Sequence, residues 1–369
     1  MIQAKVIADS KSPQGKRLTT MVVTFPRFIL AELNTHRMFS RNSASSRAIP
    51  FEKMVKSVQE NPFIPIAWQK DHKGMQGTEY FKPDETFTSE NPMDRFANGI
   101  TDKDSPTKII VDRLKAEWLW GRDMAVQTAK NLHNMGVHYH PDGNISKLTG
   151  EGVGLTKQLC NRLLEPFLWH TIILTGTEFE NFFALRAHPM AEIHLQNLAY
   201  KMLDAMNNST PNELKEGEWH IPCGEDIIID TPSGNGKMKL GQYRSKEELD
   251  SVIKIATARC AQISYMKFGS DDYADLIDLH DSLVIRPYEG KRGIRTIEDP
   301  IHASPASHCA QAMTLEEYTD FCKGIRSTKT NQSWKNNPNL GWCHNLRGFK
   351  SYRSMLSNEN STDSRLIKK

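Results

Sequence analysis

The stretch TTMVVTFPRFILAELN, residues 19–34, changes its periodicity halfway along. Its first half is a run of β-branched and aromatic residues, which reads as a strand, and beyond Pro26 the apolar positions take helical spacing. A strand feeding a helix is therefore expected, and a dense polar loop follows at once. Downstream, KIIVDRLKAEWLWGRDMAVQTAKNLHNM (108–135) has apolar residues at helical spacing and stops before Gly136, as a helix ending at glycine does. Residues 155–206 read as a helix, a turn at Glu165-Pro166, a buried apolar run (FLWHTIILTG) and two further helices. The pattern over 246–265 is again helical, with SKEE as a candidate cap. Between these segments, 50–110 and 208–248 are rich in turn-forming residues. The first of them reads as an insertion or lid.

Several classes of protein are disfavoured by composition. The 47 basic and 44 acidic residues nearly balance, at a formal charge of +3, so no strong overall field would hold the chain on a nucleic acid polymer or a lipid surface. No apolar run is long enough to cross a bilayer, and MIQAKVIADSKSPQGKRL lacks the hydrophobic stretch of a signal peptide, so a cytoplasmic location is expected. Cys160, Cys223, Cys260, Cys309, Cys322 and Cys343 form no C-x-x-C pair and read as reduced structural thiols. His133, His138 and His140 lie close together without a nearby cysteine, a poor zinc site, and no metal is expected. Neither a G-x-G-x-x-G fingerprint nor a Walker loop occurs.

The polar loop is THRMFSRNSASSR, Thr35 to Arg47. Its three arginines are fixed forks of donors, and its small Ser and Ala side chains let anionic oxygens approach backbone N–H groups. A solvated basic loop with serine caps would have the same composition. The spacing of His36, Arg37, Ser40, Asn42, Ser45 and Arg47 resembles the signature of the flavin-dependent thymidylate synthases: Arg-His-Arg, two residues, Ser, one residue, Asn, two residues, Ser, one residue, Arg. Only the first position departs, being Thr35. LTKQLCNRLLEPF (155–167) resembles the family's helix bearing a nucleotide-contacting arginine, here Arg162. NFFALR resembles the segment in which an asparagine touches the flavin and an arginine grips the uracil, here Asn181 and Arg186. Thr175 and Thr177 stand where polar and basic flavin contacts are usual, and Met190 where a histidine is usual.

Two further resemblances are out of order. ATARCAQISYMKFG (256–269) is similar to the family's amino-terminal Ala-Ala-Arg-Val-Ser-Tyr segment, and PIHASPASHCAQAM (300–313) to its His-x-[Ser/Thr]-Pro-Phe-Glu-His segment. In the family both precede the signature, whereas here they follow it, as in a circular permutation. LRGFKSYR (346–353) resembles a degenerate second copy of the strand-to-signature stretch, a partial internal repeat.

The resemblance implies an α+β fold, a β-sheet packed by helices, assembled as a homo-oligomer. Residues 1–50 and 146–207 would be the first part of the catalytic domain and 246–353 the second. The 51–145 insertion or lid, carrying the 108–135 helix, and the turn-rich 208–245 insertion would interrupt it, with 354–369 a loose polar tail. The implied activity is reductive methylation of dUMP to dTMP, using methylenetetrahydrofolate as carbon donor and FAD recharged by NADPH. Ser45, Ser46 and Arg47 would hold the nucleotide phosphate, Arg162 would complete its pocket, and Arg186 would stabilise charge on the ring. His36, Arg37, Ser40, Asn42, Asn181, Ser264, His302 and Ser304 would contact the flavin. Hydroxymethylation of dUMP, or a non-catalytic nucleotide-binding relative, remains open at this point.

Overall fold

In the computed structural model the β-branched run forms a ten-residue strand, β2 (Arg17–Pro26), at the middle of the largest sheet, and leads through a 3-10 turn into a single-turn helix, α1 (Leu30–Leu33). The structure describes residues 1–74, 77, 79–81, 106–134, 137–139, 145–147, 155–224, 227–230, 237–239, 245–265, 272–319, 337–357 and 359. Strand β2 pairs antiparallel with β1 (Gln3–Lys11) across a tight turn in which Ser12 N–H reaches Lys16 O and Gly15 takes φ +79°. That positive φ is easy only for glycine.

On its other side β2 pairs antiparallel with β4 (Trp169–Gly176), formed by the apolar run of residues 167–176. Strand β4 carries β3 (Ser40–Ser43), the centre of the signature loop, in the register Ser40↔Thr175 to Ser43↔Ile172. A two-residue strand, β5 (Asn212–Glu213), runs parallel to β1 and completes the order β3-β4-β2-β1-β5.

Alternation along β2 decides which face meets which helices. Met21, Val23 and Phe25 are fully buried with Ile172 and Leu174 of β4, under α4 (Glu180–Arg186) and α5 (Ile193–Asn207), which contribute Phe182, Leu195, Leu198 and Met202. From the other face, Val22 and Ile173 pack on Cys260, at the end of α6 (Lys246–Gln262), and on Ile263. Each large apolar side chain so buried contributes about 1.5–3 kcal/mol. The SKEE segment supplies the expected start of α6: Ser245 Oγ accepts from Glu248 N–H while the Glu248 carboxylate accepts from Ser245 N–H.

Among the described residues, two further cores flank this sheet. Helix α2 (Phe51–Glu60) buries Phe51, Met54, Val55 and Val58 against Val126 and Ala129 of α3 (Pro106–His133) and Leu164 of the 3-10 segment Asn161–Phe167. The start of the 51–145 stretch, expected to be an insertion with little periodicity, thus shares a core with Ala44 and Ile49 of the signature loop. The expected helix around Arg162 is instead one α-turn, Lys157–Cys160, leading into that 3-10 segment.

Helices α6 and α7 (Tyr273–Val284) pack together, and a three-stranded antiparallel sheet lies beside them, in the order β6 (Trp219–His220), β7 (Ala310–Ala312), β8 (Phe349–Ser351). Strands β6 and β8 come from stretches read as turn-rich insertion and degenerate repeat. No helix among the described residues is long and apolar enough to cross a membrane. His138 and His140 fall outside the residues whose side chains are described, and no metal-binding cluster occurs among those that are.

Candidate functional site

Strand β3 buries Ser40 and Asn42 on one side, as period-two alternation requires. The Asn42 amide joins three distant parts of the chain. Its Nδ2 donates to Cys260 O at 2.9 Å and Ser264 Oγ at 3.3 Å, and its Oδ1 accepts from Ser304 Oγ at 3.2 Å. The carbonyl of Cys260 can only accept, which fixes the amide orientation. A fourth bond, Ser45 N–H to Ser264 O at 3.0 Å, ties down the rest of the loop. The signature loop and the two segments with out-of-order resemblance therefore meet in one protomer. Asn42 and Ser264, expected at the flavin, spend these polar groups within the protein.

A cleft of about 440 Å³ opens beside this knot. Of the expected residues, Arg37, Ser40 and Ser304 line it. Arg41, another arginine of the basic loop, lines it as well, and sequence reasoning missed Ser307, Asn345, Ser351, Arg353 and Glu359, which line it too. The last four belong to or adjoin the LRGFKSYR repeat, so the repeat was the available signal. Asn345 Nδ2 donates to Met38 O and to Ser40 Oγ, each at 3.0 Å, and so clamps this segment to the signature loop. Arg41 donates to Leu33 O and His36 O, and burial pulls its pKa below the usual guanidinium value.

His36 lies outside the cleft lining. Arg186 donates from Nε to His36 Nε2 at 3.0 Å, so that nitrogen is the acceptor and the imidazole is neutral with its proton on Nδ1. Burial first, then the Arg186 and Arg41 charges, push the His36 pKa below the ordinary imidazole value. The ring stands edge-on to Phe182 at 4.9 Å, which locks the pair in place. Arg186 also reaches Thr35 Oγ1 at 3.4 Å, and its Nη1 makes no hydrogen bond among the described residues. Asn181 is exposed on the first turn of α4. His302 is exposed and lies outside the cleft lining, its backbone N–H on Leu283 O.

The expected phosphate-binding residues lie elsewhere on the loop. Asn161 Nδ2 donates to Ser46 O at 2.7 Å and Ile49 O at 3.0 Å, so the turns bearing Arg47 and Arg162 are pinned together, with both arginines exposed. Ser46 lines a second, smaller pocket of about 90 Å³ with Arg27, Lys53, Glu165 and His170. The signature therefore divides: Arg37 and Ser40 face the large cleft, and Ser46 the small one.

Thr175 has an internal use. It lies fully buried in a hydrogen-bonded chain running Ser10, His220, Thr20, Thr175, His308, with every link 2.7–2.8 Å. His308 Nε2 is buried without a partner among the described residues, and a bare acceptor there costs less than an orphaned N–H, so the proton sits on Nδ1. Each remaining group can then donate once along the chain, ending with His220 Nδ1–H on Ser10 Oγ. Burial drives the pKa of His220 down to about 4 and that of His308 to about 3, so both are neutral. Thr177 Oγ1 accepts from Arg347 N–H at 3.1 Å.

No family model matches this chain, and no curated protein matches it significantly.

Proposed function

We propose that the chain is a flavin-dependent enzyme of the thymidylate synthase type, with a permuted family fold, that methylates dUMP to dTMP. Methylenetetrahydrofolate would be the carbon donor and NADPH the reductant. The observation that carries this reading is the Asn42 knot, which brings the signature loop together with both out-of-order segments at the edge of one cleft.

The donor set suits a flavin nucleotide. Arg37, Arg41 and Ser304 offer cationic and hydroxyl partners for a diphosphate, and a cleft of about 440 Å³ is of ligand-site size. A whole FAD is larger, so the reading includes a second copy of the chain covering the remainder, as in the family. Bound FAD would supply the hydride. The neutral His36 holds Arg186 by its Nε, leaving the outer guanidinium to face a uracil ring whose charge rises during reaction. Exposed Arg47 and Arg162 would take the nucleotide phosphate.

Reconstitution with FAD followed by a spectrum is the first test, and release of the C5 proton from dUMP the second. Folded protein that takes up no flavin would refute the reading.

A further inference from the structure

We infer that His344, Asn345, Ser351, Arg353 and Glu359 build the second wall of a diphosphate subsite in the large cleft, and that Glu359 is a latch which occupies Arg353 until the diphosphate displaces it. The inference deepens the proposed function and rests on it only for the identity of the larger molecule that carries the diphosphate.

Charge comes first. The cleft gathers the guanidiniums of Arg37, Arg41 and Arg353 against the single carboxylate of Glu359. Arg41 is partly buried and bonds only to neutral carbonyl oxygens, so its charge meets no counter-ion among the described residues. Arg37 is exposed on the opposite wall. Such an excess of fixed positive charge in a concave site favours a ligand with about two negative charges, which a diphosphate diester carries.

Hydroxyls come second. Ser40, Ser304, Ser307 and Ser351 line the same cleft from both walls, and such groups complete the oxygen contacts that guanidiniums begin. The walls are held in register by Asn345, whose amide bonds to Met38 O and Ser40 Oγ, so Arg353 is placed opposite the signature loop by a fixed strut.

The latch comes third. Arg353 Nε donates to Glu359 Oε1 at 2.7 Å, and the carboxylate side chain is only 10% exposed against 39% for the arginine. A carboxylate oxygen presented to a guanidinium at this distance makes the contact a phosphate oxygen would make. Among the described residues the Glu359 backbone is held by one hydrogen bond, its N–H on Leu356 O, eight residues beyond the end of β8. Ligand binding is then an exchange: the Arg353–Glu359 pair opens, the carboxylate moves to water, and Arg353 closes on the diphosphate. No covalent bond changes.

The test is calorimetric titration of the full chain with inorganic pyrophosphate alone, for the parent, Glu359→Gln, Arg353→Ala and Arg353→Lys. Glu359→Gln removes the competing charge and should bind about three- to tenfold tighter. Arg353→Ala should bind about tenfold weaker or worse, and Arg353→Lys should fall between it and the parent. If Arg353→Ala fails to fold, Arg353→Lys carries the comparison. The inference is overturned if the parent shows no binding at millimolar pyrophosphate, if Glu359→Gln binds no tighter, or if loss of the Arg353 guanidinium leaves affinity unchanged. FAD uptake, measured separately by absorbance, distinguishes the two readings. Pyrophosphate binding without flavin uptake would sustain the subsite and remove the flavin.

Discussion

Lowering the pH from 8 to 5 should destabilise the fold by about 2 kcal/mol for each of His170, His220 and His308. All three imidazoles are buried, and burial is the first cause of their depressed values, about 3, 4 and 3 against an ordinary 6.5. The Arg27 charge adds to the effect at His170, and His220 to that at His308, while Asp9 partly offsets it at His220. The sign follows from proton counts. At pH 8 neither the folded nor the unfolded chain protonates these rings. Below 6.5 the unfolded chain takes up protons that the folded chain refuses, so stability is full above 6.5 and falls until the native values near 3 to 4 are reached. At pH 5 the unfolded imidazole has gained RT ln(1 + 10^1.5), about 2 kcal/mol, and the result barely depends on whether the native value is 3 or 4. Together the three remove about 6 kcal/mol, comparable to the whole stability of many domains. Urea unfolding at constant ionic strength, at intervals between pH 8 and 5, measures this directly. The slope near pH 5.5 should correspond to uptake of about three protons, roughly 4 kcal/mol per pH unit. A slope of one proton or less would refute the burial argument, as would ring NMR signals of these histidines that titrate near 6.5.

Thr175→Val should cost about 1–3 kcal/mol by urea unfolding, because it strips the partner from His308 Nδ1 and from Thr20 inside a buried chain. Asn42→Ala should cost a similar amount and also weaken pyrophosphate or flavin binding, since it unties three segments at once. If stability falls and binding does not, the knot does not shape the cleft. Under the proposed function, Arg47→Ala should remove about 1.5–3 kcal/mol of dUMP affinity and little of deoxyuridine affinity, as paired titrations would show. Arg186→Ala should instead lower single-turnover rate more than affinity, and a pure affinity loss would contradict its assigned place at the ring.

Local signals were the legible part of the fold. The period change at Pro26, the 106–133 helix and the Ser245–Glu248 cap are each written within a few neighbouring residues. Helix α2 was hidden although Phe51, Met54, Val55 and Val58 stand at helical spacing, because Pro, Asn and Asp in the surrounding residues swamp so short a pattern. His220 escaped notice for a related reason: its strand has two residues, and its importance comes from Ser10 and Thr20, about two hundred positions away. Thr175 read as a lost ligand contact because the register that sets it between Thr20 and His308 belongs to the tertiary fold. The cleft was half legible. Arg37, Ser40 and Ser304 carry spacing, whereas Asn345, Arg353 and Glu359 owe their place to the return of a distant segment.

The strut at Asn345 also sets a schedule. Translation delivers Met38 and Ser40 early, but the residue that clamps them follows more than 300 positions later. On the ribosome the signature loop must therefore wait, its first wall in place and its second unmade, and the cleft stays half-built until β8 emerges. The same order runs backwards under proteolysis: clipping between Gly341 and Asn345 would loosen the second wall of the cleft, with Leu346 and Phe349 over Leu18 of β2, while the core beneath α4 and α5 keeps its contacts. Loss of binding would precede loss of fold.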